Sequence, residues 1–339
     1  MRRLRCAYSP RVASHETFIG QGHVPEEVLQ SLEALRGHDV RWRDGRAFSL
    51  AYSAGPEVLA LSEEAYRRFS GENALNTDAF PSLRRMQNEV VRAAIRWTHG
   101  DDDASGFMTS GGTESNNSAI LSALEVAPRR REIIISAVEH PAVLSLCAWL
   151  EKHKGIRIHI IPVDRNGWLD IDAYRRALSD RVAVVSIMWA NNETGVVSDL
   201  DGIAAVLNAC ETRPFWMVDG VQALGKMALQ LNRRPIDYAP FSGHKLYAPK
   251  GIGLLYVREG APFTPLMMGG GQEAGLRSGT ENMAGIAALG AVLAHPARAQ
   301  QTTTGQGGVN TITIVLPSLD NLFADLKVPF DLVKDPKGY

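Results

Sequence analysis

Cysteine is scarce in this chain. The 339 residues include three, Cys6, Cys147 and Cys210, odd in number and far apart. That usage excludes a disulfide framework and a zinc-type cluster, and it points to a reducing compartment. Charge of one sign is lacking too. With 36 basic and 37 acidic residues the formal net charge is −1, so nothing argues for a nucleic-acid partner. Long apolar runs are absent. Ile286–Ala294 is among the longest and falls far short of the roughly 20 residues that span a bilayer, so no membrane association is expected. Acid is missing from the N-terminus before Glu16, a pattern shared by organellar transit peptides and ordinary basic chain ends. The ordinary reading is preferred, and with it a cytoplasmic protein.

What is present is globular. Hydrophobic residues make up 45% and charged residues 22%, in a chain long enough for two domains or one large α/β unit with an appendage. Helical spacing is read at Pro25–Arg36, Glu57–Phe69 and Ser82–Trp97, with Ser82 as the expected N-cap of the last. From Gly106 the pattern alternates. Ile133–Val138, Ile158–Val163, Val182–Met188, Phe215–Val218 and Gly251–Val257 read as strands. Ser115–Val126, Pro141–Lys154, Ile171–Ser179, Leu200–Cys210 and Gly285–Ala294 read as helices. Such alternation predicts parallel pairing with right-handed crossovers, and ligands beyond the carboxyl ends of the strands. The segmentation is residues 1–105, an N-terminal helical segment; 106–294, the large domain; and 295–339, a linker and tail. Gln300–Gly308 is polar and of low complexity, Thr311–Leu316 reads as a strand and Leu319–Leu326 as a short helix.

Several motifs carry chemistry, and most fall at an expected strand end. Phe241-Ser-Gly-His-Lys-Leu-Tyr-Ala-Pro-Lys250 follows an apolar run that ends in Asp219. Lys245 is placed to form an imine with pyridoxal phosphate (PLP), with Asp219 keeping the pyridine nitrogen protonated. A solvated basic loop and an ordinary salt bridge are the plain alternatives for these two. In Met108-Thr-Ser-Gly-Gly-Thr-Glu-Ser-Asn-Asn117, Gly112 lets backbone N–H groups approach an anion at a helix start and Thr113 adds a hydroxyl. A simple capped helix entry would look the same. His140, in Val138-Glu-His-Pro-Ala-Val143, could stack on a cofactor ring or cap the next helix. Asn192, in Trp189-Ala-Asn-Asn-Glu-Thr-Gly195, could donate to a ring oxygen or sit in a turn. Gln222 could reach the same oxygen, and Ser242 and His244 could donate to a phosphate. Gly269–Thr280 offers further donors, Thr280 among them, or is a flexible loop.

Taken together and in this order, residues 106–294 resemble the class V aminotransferase family, specifically its cysteine desulfurase (NifS/IscS-like) branch. The resemblance implies the PLP-dependent transferase fold type I, an α/β fold with a mainly parallel central sheet and helices on both faces. It implies pyridoxal 5'-phosphate as cofactor, L-cysteine or a related amino acid as substrate, a homodimer, and a sulfur-acceptor protein. Lys245 would be the imine lysine and His140 would stack on the ring. Asp219 would pair with the ring nitrogen, and Asn192 and Gln222 would contact the ring. Gly112, Thr113, Ser242 and His244 would hold the phosphate, and Thr280 would reach that of a partner subunit. Residues 51–90 resemble instead sphingosine-phosphate lyase and the group II decarboxylases, with Asn76 where those have histidine. The family's nucleophilic cysteine loop, substrate-carboxylate arginine and most of its small domain have no counterpart before the sequence ends. PLP binding with little or no desulfurase turnover is therefore the expectation for this chain alone. Carbon–carbon lyase chemistry and an inactive scaffold are the alternatives.

Overall fold

The computed structural model describes residues 22, 24–39, 52, 54–73 and 79–294. They divide into two units, Met1–Ala51 and Tyr52–Tyr339. In the first, helix α1 (Pro25–Ala34) starts on a proline and carries Glu26 and Glu27 in its first turn, where carboxylates suit the helix dipole. A 3₁₀ turn, Leu35–His38, follows it. The expected strand at Thr311–Leu316, the expected helix at Leu319–Leu326, the linker and tail of residues 295–339, Cys6 and Asn76 all lie outside the described residues.

The second unit is built on a seven-stranded sheet. The strands are β1 (Ser105–Thr109), β2 (Glu132–Ser136), β3 (Arg157–Ile161), β4 (Val182–Ser186), β5 (Phe215–Met217), β6 (Tyr238–Ser242) and β7 (Gly253–Val257). Their order across the sheet is β1-β7-β6-β5-β4-β2-β3. Strands β2 to β6 pair in parallel. Strand β7 is antiparallel to both neighbours, β1 and β6, so it alone runs against the others. The mainly parallel α/β sheet expected from the sequence is present. Strands β2, β4, β6 and β7 are buried along their whole length. Burial on both faces explains their near-continuous apolar sequence.

Helices cover both faces. Helices α4 (Gly112–Val126) and α5 (Pro141–Lys154) enclose one core, around Ile120, Val143, Ile133 and Tyr238. On the other face α3 (Pro81–Trp97), α6 (Ile171–Ala177), α7 (Leu200–Asn208) and α8 (Met283–Ala294) surround Val90, Ile203, Trp216 and Ile286. Helix α2 (Pro56–Arg68) lies against α8. Helix α8 is apolar on every side and buried almost throughout, as a helix packed all round must be. Its small residues permit close contact: a Cβ on Gly290 would stand 3.1 Å from a Val90 methyl.

Three local readings are corrected. Ser82 does not cap α3; Phe80 is the N-cap and Pro81 occupies the first turn, where its missing N–H has no intrahelical partner to lose. Strand β6 was hidden by Pro240, since proline cannot donate to a ladder and argues against an interior strand. Strand β1 was passed over because its five residues, Ser-Gly-Phe-Met-Thr, run straight into the glycine turn. Among the described residues, no helix is long and apolar enough to cross a membrane.

Candidate active site

Since β1 and β6 both oppose β7, their carboxyl ends lie on the same edge as those of β2, β4 and β5. That edge collects the motifs. After β1 the chain turns at Gly111, whose φ of +145° is in the region that favours glycine, and α4 begins at Gly112. A Cβ on Gly112 would meet a Val221 methyl at 2.8 Å, and one on Gly253 would meet the Gly111 Cα at 2.6 Å. The first N–H groups of α4 point away from its own ladder, and the Thr113 side chain stands among them. Arg277 clamps this helix start through Glu114, at 2.9 Å.

His140 follows β2 and performs the plainer of its two expected tasks, accepting a hydrogen bond from the Ala142 N–H at 3.1 Å as N-cap of α5. It also lines the cavity described below. Asn191 forms the turn after β4, its Oδ1 accepting from the Glu193 and Thr194 N–H groups at 2.9 Å, which leaves Asn192 at the cavity wall. Asp219, two residues beyond β5, is 5% exposed. It accepts from the Val221 N–H at 2.9 Å and from the Asn116 amide at 2.8 Å. Burial raises its carboxyl above the usual range, opposed by those two hydrogen bonds and by His140 and Lys245.

Lys245 lies in a short 3₁₀ turn, Gly243–Leu246, directly after β6. Its Nζ donates to the Tyr52 hydroxyl at 2.8 Å. The Ser242 Oγ lies 2.8 Å from the His244 Nδ1. Burial and the nearby Lys245, Lys250 and Lys226 drive the His244 imidazole down to about 4, so it is neutral at pH 7.

These groups share one cavity of about 140 Å³. Lys245, Asp219 and His140 line it; so do Asn192 and Gln222; so do Gly112, Thr113, Ser242 and His244. Thr280 is exposed and stands outside it. The sequence reading missed Asn116, which follows Gly112 by one helical turn and so shares its face, a spacing that could have revealed it. It also missed Tyr52, separated from Lys245 by 193 positions with no local signal connecting them. The glycine-rich stretch before Thr280 is anchored, because Glu273 accepts from the Met108 N–H at 3.0 Å and from the Gln87 amide.

Glu139, next to His140, is buried and accepts from Ser136 Oγ at 2.5 Å and Met188 N–H at 2.8 Å. Burial, with Asp219 adding its charge, pushes its carboxyl up to about 8. The folded state therefore binds a proton that the unfolded state has released. The linked stability is full below the ordinary value of 4.5 and is lost as pH rises through about 8. Glu139→Gln is expected to flatten that decline in thermal-unfolding midpoints measured from pH 5 to 9; an unchanged slope would exclude Glu139 as its source.

Residues 53–316 match the family described as Aminotransferase class-V. The chain belongs to the class-V aminotransferase family. Among curated class-V relatives, a cysteine desulfurase of Gluconacetobacter diazotrophicus is 60% identical over 182 residues, 54% of this chain and 45% of the relative. The chain spans about half the length of the curated relatives it matches. Among solved structures, a NifS-like protein aligns with a TM-score of 0.66 at 31% identity, covering 72% of this chain and 67% of that one. A sphingosine-1-phosphate lyase of Burkholderia pseudomallei aligns with a TM-score of 0.69 at 25% identity, covering 84% and 71%. The cofactor of class-V aminotransferases is pyridoxal phosphate. The cavity fits it: a glycine turn that any Cβ would fill, free helix N–H groups, and a buried carboxylate with amide donors but no bonded cation among the described residues.

Proposed function

We propose that this chain is a pyridoxal phosphate enzyme of the cysteine desulfurase kind, which binds L-cysteine and moves its Cα proton as the cysteine desulfurases it is similar to would, the sulfur-transfer step itself having no thiolate placed for it among the described residues. The observation that carries the reading is that Lys245 and Asp219 line one cavity beside the Gly112–Thr113 turn. When bound, pyridoxal phosphate supplies a ring that withdraws electrons from the substrate Cα. The protein supplies position and proton transfer. Thr113, Ser242 and His244, with the N–H groups at the start of α4, would hold the phosphate. Asp219 would hold a proton on the ring nitrogen, an arrangement that relieves the cost of its own burial. His140 would cover the ring, and Asn192 and Gln222 would donate to its oxygen. Lys245 would hold the aldehyde carbon through Nζ, and the same amine would be placed to take up the substrate Cα proton.

Sulfur transfer also requires a thiolate. Cys147 is buried and its thiol is pushed up to about 12, and neither it nor Cys210 lines the cavity. That step is assigned to neither. A second copy of the chain and a sulfur-acceptor protein are the partners this reading calls for.

The lyase structure favours a second reading, cleavage of a carbon–carbon bond in a phosphorylated amino alcohol, because its alignment covers 84% of this chain. One experiment separates them. The PLP-loaded protein in D₂O is expected to exchange the Cα proton of L-cysteine for deuterium, read by mass spectrometry, and to leave sphingosine phosphate intact. Cleavage of the amino alcohol without exchange into cysteine would establish the lyase. Neither reaction, from a protein that holds PLP, would establish an inactive scaffold.

A further inference from the structure

A second lysine stands behind the cavity. Lys226 does not line it, yet its Nζ donates to Oε1 of Gln222, which does. Gly220–Met227 forms a run of turns after β5 in which the Lys226 N–H donates to the Ala223 carbonyl at 3.1 Å. Gly225 has a φ of +73°, and a Cβ there would meet a Leu246 methyl at 2.8 Å, so this turn is built around glycine. Lys226 thereby comes to lie beside Gln222, four residues earlier.

The chemistry of the pair is one-directional. An ammonium carries three donors and no acceptor. The atom of Gln222 that faces it must therefore be the amide oxygen, and the –NH₂ is left for the other side. A ring oxygen in the cavity needs a donor, and an unrestrained glutamine would offer it an acceptor as readily. Lys226 also lies 5.2 Å from the ring centroid of Tyr52, whose other cation neighbour is Lys245 at 4.1 Å. The tyrosine thus holds both ammonium groups against one ring.

We infer that Lys226 is a positioning residue of the cofactor site, which fixes the Gln222 amide as a donor to the ring oxygen of pyridoxal phosphate. The inference rests on the reading of the cavity given above. Burial lowers the Lys226 ammonium to about 8, with Tyr52 opposing and Lys245 assisting, so it stays charged and donor-only at neutral pH. His244, the other titratable group that feels the Lys226 charge, sits on the Lys245 turn.

The test reads the visible absorption band of the purified protein with PLP, and PLP retention on dilution. The ring oxygen belongs to the chromophore, so losing an oriented donor moves the band, whereas a general loss of stability does not. Lys226→Met is expected to shift the maximum and to weaken PLP about tenfold, and Lys226→Arg to restore both. Gln222→Leu should reproduce the Lys226→Met shift, and the double variant should be no worse than either alone. Should Lys226→Met fail to fold, Lys226→Gln, which removes the charge and the donor-only restraint, is expected to shift the band in the same direction. Variants with the wild-type band and retention, or additive losses in the double variant, would overturn the inference and leave the PLP site standing. A wild type that stays colourless with PLP would overturn both.

Discussion

Borohydride reduction of the PLP-loaded protein is expected to fix the cofactor covalently to Lys245, and Lys245→Ala to lose both the adduct and the visible band. The experiment discriminates because Lys226 also approaches Tyr52 and Lys250 follows five residues on, so three amines compete within one neighbourhood. Lys245 has the advantages of place. It follows β6 at the carboxyl edge of the sheet, lines the cavity, and shares it with the buried carboxylate of Asp219. Lys226 is occupied with Gln222 and lies outside the lining. Losing the covalent bond should weaken cofactor retention by at least about a hundredfold, since only phosphate and ring contacts remain. Peptide mapping that finds the adduct on Lys226 or Lys250, or an unaltered band in Lys245→Ala, would remove Lys245 from its role.

Asp237→Ala is expected to cost about 3–5 kcal/mol, a fall of roughly 10 °C in the unfolding midpoint. Asp237 is fully buried just before β6. It accepts from both terminal nitrogens of Arg213, at 2.8 and 2.9 Å, from Arg258 at 2.5 Å, and from the Trp216 N–H at 2.8 Å. Arg213 precedes β5 and Arg258 follows β7, so one carboxylate ties the ends of three adjacent strands. Alanine would leave a buried N–H unpaired and two guanidinium groups without their counter-charge. Asp237→Asn keeps an acceptor and should cost less than alanine. Because β5 delivers Asp219 and β6 delivers Lys245, the alanine variant should also hold PLP more weakly at a temperature where it remains folded. A midpoint within 2 °C of wild type would mean that the strand ends are held by something else.

How far the sequence could be read depended on whether a signal was local. Pro141–Lys154 carries its own boundaries, a proline at the start and Gly155 in left-handed conformation after the end, and α5 has those limits. The strand ends were visible because buried parallel strands are short apolar runs, and a polar residue after one stands out; Asp219 and Asn192 were found in this way. Ser82 misled because serine is the stronger N-cap by type, while the proline before it already fixed the first turn. Pro240 concealed β6 through the opposite error, a residue that forbids most interior strands being tolerated in this one. Asn116 needed the start of α4 to be placed at Gly112 and not at Ser115, where the periodicity suggested it. Tyr52 and Lys226 could not be found from pattern alone. Each matters through a partner brought close by folding: Lys245 for the first, and for the second a glutamine whose orientation has no meaning until the amide is seen in space.

The lone reversed strand has a consequence for the glycine turn at the cavity. Its amino end enters where its neighbours finish, and Gly253 passes so near Gly111 that no side-chain carbon fits between them. Behind the Gly111–Gly112 turn, main chain lies against main chain. On the proposed reading, an anion held at the Gly112 turn would rest against backbone that no rotamer can adjust, so changes at the rim would alter what is admitted without altering where its charge comes to rest.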